Sequence, residues 1–256
     1  MLLAIDVGNT NIVLGCFDGE ALLFRERIST NQQATALEYA VSIRMALHMH
    51  GLHRENITDA ILSSVVPSVT GTLRRAVETY TGQHVMVVGP GIKTGLSIVI
   101  DNPAQLGSDL VVDAVAGLNE YELPLIIIDM GTATTLSVIN RQRQYLGGII
   151  MTGMSVSMEA LVSRTSQLPK IGFDAPRHII GTNTIDCMKS GMLYANACAL
   201  DGMIERIEEE LGERCTVVAT GGLAGVVIPL CRREIHLDDD LLLKGLRLIF
   251  EKNAGK

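Results

Sequence analysis

The chain carries one short phrase twice. Leu2 to Leu14 reads LLAIDVGNTNIVL and Leu125 to Ser137 reads LIIIDMGTATTLS. At one constant spacing Leu2 matches Leu125, Ile5 matches Ile128, Asp6 matches Asp129 and Gly8 matches Gly131, with small hydroxyl or amide residues following in both copies. A spacing close to half of the 256 residues predicts two related domains, which we divide as 1–115 and 116–256. In each copy an apolar run ends in Asp, bends through Gly and Thr, and continues into a second β-favouring run. That pattern reads as strand, tight turn and returning antiparallel strand.

Between the copies, Ala21 to Ile28 reads as a third strand, and Thr35 to His50 as a helix with Leu37, Ala40, Val41, Met45 and Leu47 at helical spacing. Ala60 to Val66 reads as a buried strand, Pro67 to Thr81 as a helix and Val85 to Val88 as a short strand. Gly107 to Leu123 places Leu110, Val111, Ala114, Val115 and Leu118 on one helical face before Pro124 opens the second copy. Thr184 to Leu211 is a long helix stopped by Gly212, Thr216 to Ala219 a strand, and Asp238 to Lys252 a C-terminal helix with three acidic residues at its positive end.

Composition narrows the function. Hydrophobic residues make up 47% of the chain, enough to fill a core, and the net charge of −7 lacks the cationic field of a nonspecific nucleic-acid or anionic-membrane binder. Asp6 breaks the first apolar run before it forms a signal segment, and no later run reaches the ~18 residues of a membrane span. Cys16, Cys187, Cys198, Cys215 and Cys231 are scattered without metal-ligand spacing, and are expected as buried or inert thiols of a cytoplasmic protein. His48, His50 and His53 fall at a helix end, where imidazoles are favoured without a metal. Arg74 with Arg75, and Arg232 with Arg233, read as solvated basic pairs.

Asp6, Val7, Gly8, Asn9, Thr10, Asn11, Ile12 and Val13 form a strand end and turn suited to a nucleotide phosphate. Glycine admits close backbone approach, neighbouring N–H groups donate to the phosphate, and the carboxylate can hold a hydrated divalent cation. A β-turn whose Asp or Asn bonds its own backbone is the other reading. The second copy, with Asp129, Thr132, Thr134 and Thr135, favours the first, because two such turns can clamp a triphosphate from two sides. Gly221 and Gly222 follow a predicted strand, where paired glycines serve either a flat base or simple close packing.

These elements, in this order, resemble the phosphate and adenosine motifs of the actin-like ATPase superfamily, which includes the acetate and sugar kinases. The chain as a whole resembles the type III pantothenate kinases. The matching segments are IDVGNTNIVLG at the start, SSVVPSV at 63–69, GPGIKTGL at 89–96, DNPAQLGSD at 101–109, DMGTATTL at 129–136, GGII at 147–150, IIGTNT at 179–184, ATGGLA at 219–224 and LKGL at 243–246. The resemblance implies a duplicated, ribonuclease H-like α/β fold of two lobes that phosphorylates pantothenate with ATP. It also implies Mg²⁺, a monovalent cation (K⁺ or NH₄⁺), and a homodimer with the substrate pocket at the subunit interface.

By the same resemblance residues 6–13 and Thr132 bind ATP, Asp129 holds the monovalent cation, and Thr184 contacts pantothenate. Asp109 stands at the family's catalytic aspartate and Ile100, Gly107, Ser108 and Leu110 at substrate positions; Asp6 is a candidate for the magnesium's outer shell. A primary hydroxyl is a poor nucleophile, so a carboxylate that accepts its proton both activates it and fixes the line of attack. From local sequence, Asp109 reads equally as a helix-start residue stabilised by the macrodipole.

Three positions depart from the family pattern. Leu110 replaces an arginine, Ile100 an aromatic residue and Asp113 an asparagine, all on the acceptor side. They keep two rivals in view: a non-catalytic regulator like Bvg accessory factor, and a kinase for another small hydroxyl compound.

Overall fold

The duplication is visible in the strand order. The computed structural model describes residues 1–255 and divides them into two units. The first unit takes residues 1–96, 101–119 and the segment from Asp240 on, and the second takes 97–100 and 120–239.

In the first unit β1 (Leu2–Val7), β2 (Asn11–Asp18), β3 (Ala21–Ser29), β4 (Asp59–Ser64) and β5 (Val85–Val87) form one sheet in the order β3-β2-β1-β4-β5. β1 and β2 are an antiparallel hairpin, and β1, β4 and β5 run parallel. Every residue of β1 is buried, because helices cover both faces of a parallel centre. In the second unit β6 (Ser97–Ile98), β7 (Leu125–Met130), β8 (Ala133–Ile139), β9 (Gln144–Thr152), β10 (Thr216–Thr220) and β11 (His236–Leu237) are ordered β11-β10-β7-β8-β9-β6. Taken from β9 to β11 this repeats the first sheet, with β6 added at the edge. The expected hairpins are β1–β2 and β7–β8, each antiparallel.

The helices start where local chemistry allows. α1 (Ala36–Met49) opens on a capping box in which Thr35 and Glu38 satisfy each other's backbone N–H groups. α2 (Pro67–Thr81) has proline at its first position and stops at Gly82, φ 75°. α3 (Ser108–Glu120), α4 (Met154–Ser163) and the short α6 (Ala224–Val227) follow strand ends. α5 (Thr184–Leu211) is capped by Asn183, and α7 (Leu241–Asn253) ends the described chain.

The structure corrects several expectations. On α1 the core face is Tyr39, Ile43, Ala46 and Leu47, whereas Leu37, Val41 and Met45 form a second apolar stripe that stays exposed, Leu37 at 72%. Two apolar stripes share this helix, and periodicity alone does not choose between them. α3 is buried all round from Val112 to Leu118, Asp113 included. On one side it is covered by α7, where Gly245 packs so closely on the Val112 backbone that a Cβ would collide with its carbonyl. That contact returns the C-terminal segment to the first unit, so the units do not follow a single cut after residue 115.

The acidic residues 238–240 precede α7 rather than filling its first turn, and Asp240 pairs with Arg25 at 2.6 Å. Arg233 is not a solvated cation: it donates to Glu208 and to the Cys215 carbonyl, each at 2.8 Å. All five cysteines are free, but Cys187 and Cys198 are exposed. Burial raises the thiol pKa of Cys16 and Cys215 to about 11 and of Cys231 to about 12. His50 stacks on Phe24 and bonds Glu26 at 2.8 Å.

Candidate active site

Parallel strands deliver side chains to one sheet end, and in the first unit that end gathers the expected catalytic groups. Asp6 on β1 lies in register with Ser63 on β4, and Val7 with Ser64. Asp6 and Ser63 are both buried. The turn after β1 is tight: Gly8 N–H donates to the Asn11 carbonyl at 3.0 Å, and a Cβ on Gly8 would press on that oxygen at 3.1 Å. Thr30 braces it, its hydroxyl donating to the Gly8 carbonyl at 2.7 Å and its N–H to the Thr10 carbonyl at 3.0 Å. Asn9, Thr10 and Asn11 are exposed at the tip, whereas the Val7 and Ile12 side chains are in the core and only their backbone can face a ligand. Val13 is partly buried on β2.

The start of α3 is tied to the same sheet end. Ser108 Oγ lies 3.0 Å from Ser63 Oγ and donates to the Ser64 carbonyl at 3.1 Å. Asp109 follows, its Oδ1 accepting from Leu110 N–H at 2.8 Å. Gly107 leaves room for that carboxylate, because a Cβ there would collide with Asp109 Oδ1. Burial pushes the Asp109 carboxyl above the usual carboxylate value, against the smaller opposing effect of backbone N–H groups. A carboxyl with raised proton affinity is a better base as long as it is ionised at working pH. Asp109 thus lies in the first turn of α3, next to the Ser108 that ties this helix to the end of β4. Ser63 and Ser64 were not among the expected site residues; their signal was present in the SSVVPSV segment, adjacent to a predicted strand end.

The second unit repeats the arrangement with different chemistry. Asp129 on β7 lies in register with Thr220 on β10 and with Thr135 on β8. Gly221, φ 97°, packs on β7 so closely that a Cβ would stand 2.5 Å from Asp129 Oδ1 and 2.6 Å from Met130 N. Close packing thus accounts for Gly221, whereas Gly222 is exposed. Thr132 sits at the turn, where Gly153 at the start of α4 abuts its carbonyl.

Thr135 Oγ1, on the sheet face of Asp129, is buried without a hydrogen-bond partner, as is Thr134 Oγ1 on the opposite face with Met130 and Leu136. A buried orphan hydroxyl beside a carboxylate suits a hard cation, so Asp129 and Thr135 fit one. No group of three or more His, Cys, Asp or Glu among the described residues could hold a metal by itself. One or two carboxylates suffice where substrate phosphates supply the other ligands, as for Mg²⁺.

The remaining expected residues lie elsewhere. Ile100 belongs to the second unit, near Gly147, while Gly107 to Leu110 belong to the first. Thr184 opens α5 and lines a cavity of about 670 Å³ with Leu161, Leu168, Thr182, Cys187 and Met188. Neither Asp129, Thr132 nor Gly221 lines that cavity.

The sequence profile of the type III pantothenate kinases matches residues 2–206. The chain belongs to the type III pantothenate kinase family. A type III pantothenate kinase of an Exiguobacterium species is 46% identical over 253 residues, covering 99% of each chain. Among solved structures, a Campylobacter jejuni protein described as a Baf family transcriptional activator matches with TM-score 0.60 at 17% identity, over 99% of this chain and 100% of that one. A Sinorhizobium meliloti protein described as a 2-dehydro-3-deoxygalactonokinase matches with TM-score 0.58 at 11% identity, over 100% and 98%. At such identities the structural matches speak for the duplicated sugar-kinase fold alone. Membership of the type III family favours the kinase over the regulator.

Proposed function

We propose that this chain transfers the γ-phosphoryl group of ATP to the primary hydroxyl of pantothenate, giving 4′-phosphopantothenate and ADP at the first step of coenzyme A synthesis. The observation that carries the reading, beside family membership, is the Ser108 tether, which keeps the start of α3 at the sheet end that holds Asp6, next to last on β1. Asp109 accepts the hydroxyl proton as the oxygen attacks phosphorus. A positioned base contributes roughly 10² to 10⁴ in rate. The turns at 8–11 and 131–132 position phosphate oxygens through backbone N–H groups other than those of Gly8 and Gly131, which close the turns on the Asn11 and Ala133 carbonyls, and Gly222 offers a flat face to the adenine.

Asp6 would hold Mg²⁺ through its outer shell, and Asp129 with the Thr135 hydroxyl would hold K⁺ or NH₄⁺; such cations neutralise the charge on the phosphate oxygens. Gly107, Ser108, Leu110, Ile100 and Thr184 are proposed to shape the acceptor pocket. The exposed Ile179, Ile180 and Ile185 beside Thr184, Ile180 at 81%, support a homodimer that covers them. Free cysteines and a chain in which no described helix is long and apolar enough to cross a membrane accord with a cytoplasmic site of action.

The test is ADP release with ATP, Mg²⁺ and K⁺, with and without pantothenate, on the wild type and Asp109→Asn. Pantothenate-dependent ADP that collapses in the variant supports the assignment. ADP release indifferent to pantothenate overturns it.

A further inference from the structure

One row of residues crosses the first sheet at the Asp6 end. Asp6 on β1 is in register with Ser63 on β4 and with Val13 on β2, and Val13 is in register with Arg27 on β3. Register partners project from the same face of a sheet, so Arg27, Val13, Asp6 and Ser63 share one face. It is the face of α3, because Ser63 Oγ lies 3.0 Å from Ser108 Oγ and Val13 packs on the cluster that includes Val112 and Val115. With strands about 4.8 Å apart, the Arg27 backbone stands about 10 Å from that of Asp6, a gap that an extended arginine side chain and a ligand can bridge together.

The other arginine on this face of β3 has a structural partner. Arg25, one step farther from the turn at 8–11, pairs with Asp240 at 2.6 Å, and the Leu243 side chain of α7 covers Gly15, the register partner of Arg25 on β2. From there α7 runs away from the Asp6 end, with Arg247 over the Phe17 ring at 5.9 Å. Arg27 lies beyond the start of that helix; it is exposed, and no carboxylate among the described residues pairs with it. The strand that carries it is nonetheless held to the turn by Thr30, which bonds the Gly8 and Thr10 carbonyls.

Near that turn Asp6, Ser63, Ser64, Ser108 and Asp109 are acidic or hydroxylic, and Gly8 N–H is taken by the Asn11 carbonyl. Arg27 is the cation of the row. We propose that Arg27 is a further catalytic residue, its guanidinium binding the non-bridging oxygens of the γ-phosphoryl group as that group passes from ATP to the acceptor. A planar fork of donors meets two phosphate oxygens at once and keeps its charge at any working pH. In the transfer the acceptor oxygen bonds to phosphorus, the bond from phosphorus to the β–γ bridging oxygen breaks with its electrons staying on ADP, and the hydroxyl proton goes to Asp109; Arg27 neither gains nor loses a proton. The inference rests on the pantothenate kinase reading above and adds the side chain that answers the charge on the transferred group.

The experiment compares Arg27→Gln with the wild type by steady-state kinetics and by calorimetric binding of ADP and of ADP–aluminium fluoride with pantothenate, the fluoride complex standing in for the phosphoryl group during transfer. Arg27→Gln is expected to lower kcat by about 10² to 10³ and to weaken the fluoride complex by a comparable factor, with ADP affinity, pantothenate KM and thermal midpoint near wild type. Arg27→Lys, which keeps the charge without the fork, should recover part of both losses, and Arg25→Gln should leave kcat and both affinities near wild type. A wild-type kcat in Arg27→Gln overturns the inference while leaving the kinase reading intact. A rise confined to the pantothenate KM, an equal loss of affinity for ADP and for the fluoride complex, or a fall in kcat as large in Arg25→Gln also overturns it. A wild type without pantothenate-dependent ADP release overturns the kinase reading and the inference with it.

Discussion

Gly221 and Asp129 touch at a place where only a glycine fits, since a Cβ at 221 would stand 2.5 Å from Asp129 Oδ1 on a backbone with φ 97°. Gly221→Ala therefore suffers both a steric conflict and a strained backbone. We expect a loss of about 1–3 kcal/mol in stability, read from denaturant unfolding, with weaker binding of a non-hydrolysable ATP analogue by calorimetry. Wild-type stability and affinity in the variant would refute the close-packing account.

Asp109→Asn should lower kcat by about 10² to 10⁴ while circular dichroism and ATP-analogue binding stay near wild type. Because burial raises the carboxyl's proton affinity, the acid limb of kcat/KM should lie above the usual aspartate range and rate should fall as pH drops through it. The stability sign is opposite to that of a salt-bridged aspartate. With the folded pKa raised, the aspartate's contribution is fully present below its unfolded pKa and is lost as pH rises through the folded pKa. Asp109→Asn, neutral throughout, should thus melt higher than wild type at pH 7, with the gap closing on acidification. A gap that widens in acid would contradict the burial argument.

Leu110→Arg puts a guanidinium on the first turn of α3, beside Asp109. If the acceptor pocket lies there, the KM for pantothenate should fall by about one to two powers of ten with kcat unchanged or higher. No change in KM would place the acceptor elsewhere.

Glu208 accepts from Cys215 N–H and from Arg233, each at 2.8 Å, and so joins α5 to β10. Glu208→Ala leaves Cys215 N–H without its acceptor and Arg233 without its charge partner, and should lower stability by about 1–3 kcal/mol, seen as a lower denaturant midpoint, with pantothenate kinetics unaltered.

The repeat made the two sheets readable, because a buried strand ending in Asp-x-Gly has few other uses and the second copy removes the coincidence. Local signals fixed α2 and α5 equally well: Pro67 and Gly82 bound one, Asn183 and Gly212 the other. What stayed hidden depends on contacts distant in sequence. Leu37, Val41 and Met45 have helical spacing as good as that of Tyr39, Ile43 and Leu47, and only the packing of α1 on β-strand residues such as Leu14 and Leu62 tells them apart. Ser63 and Ser64 look ordinary until the register of β4 with β1 sets them beside Asp6 and Val7. Arg233 looks solvated until Glu208, many residues upstream, closes on it.

The Gly245 contact on Val112 bears on the order in which the molecule can be made. Every residue of the second unit is translated before α7, whereas the first unit lacks the helix that covers Val112 and Val115 until α7 follows. The unit begun first receives its last helix only after the other is fully encoded, and a chain truncated just before Asp240 would hold every residue of the second unit joined to a first unit with its Val112 face uncovered.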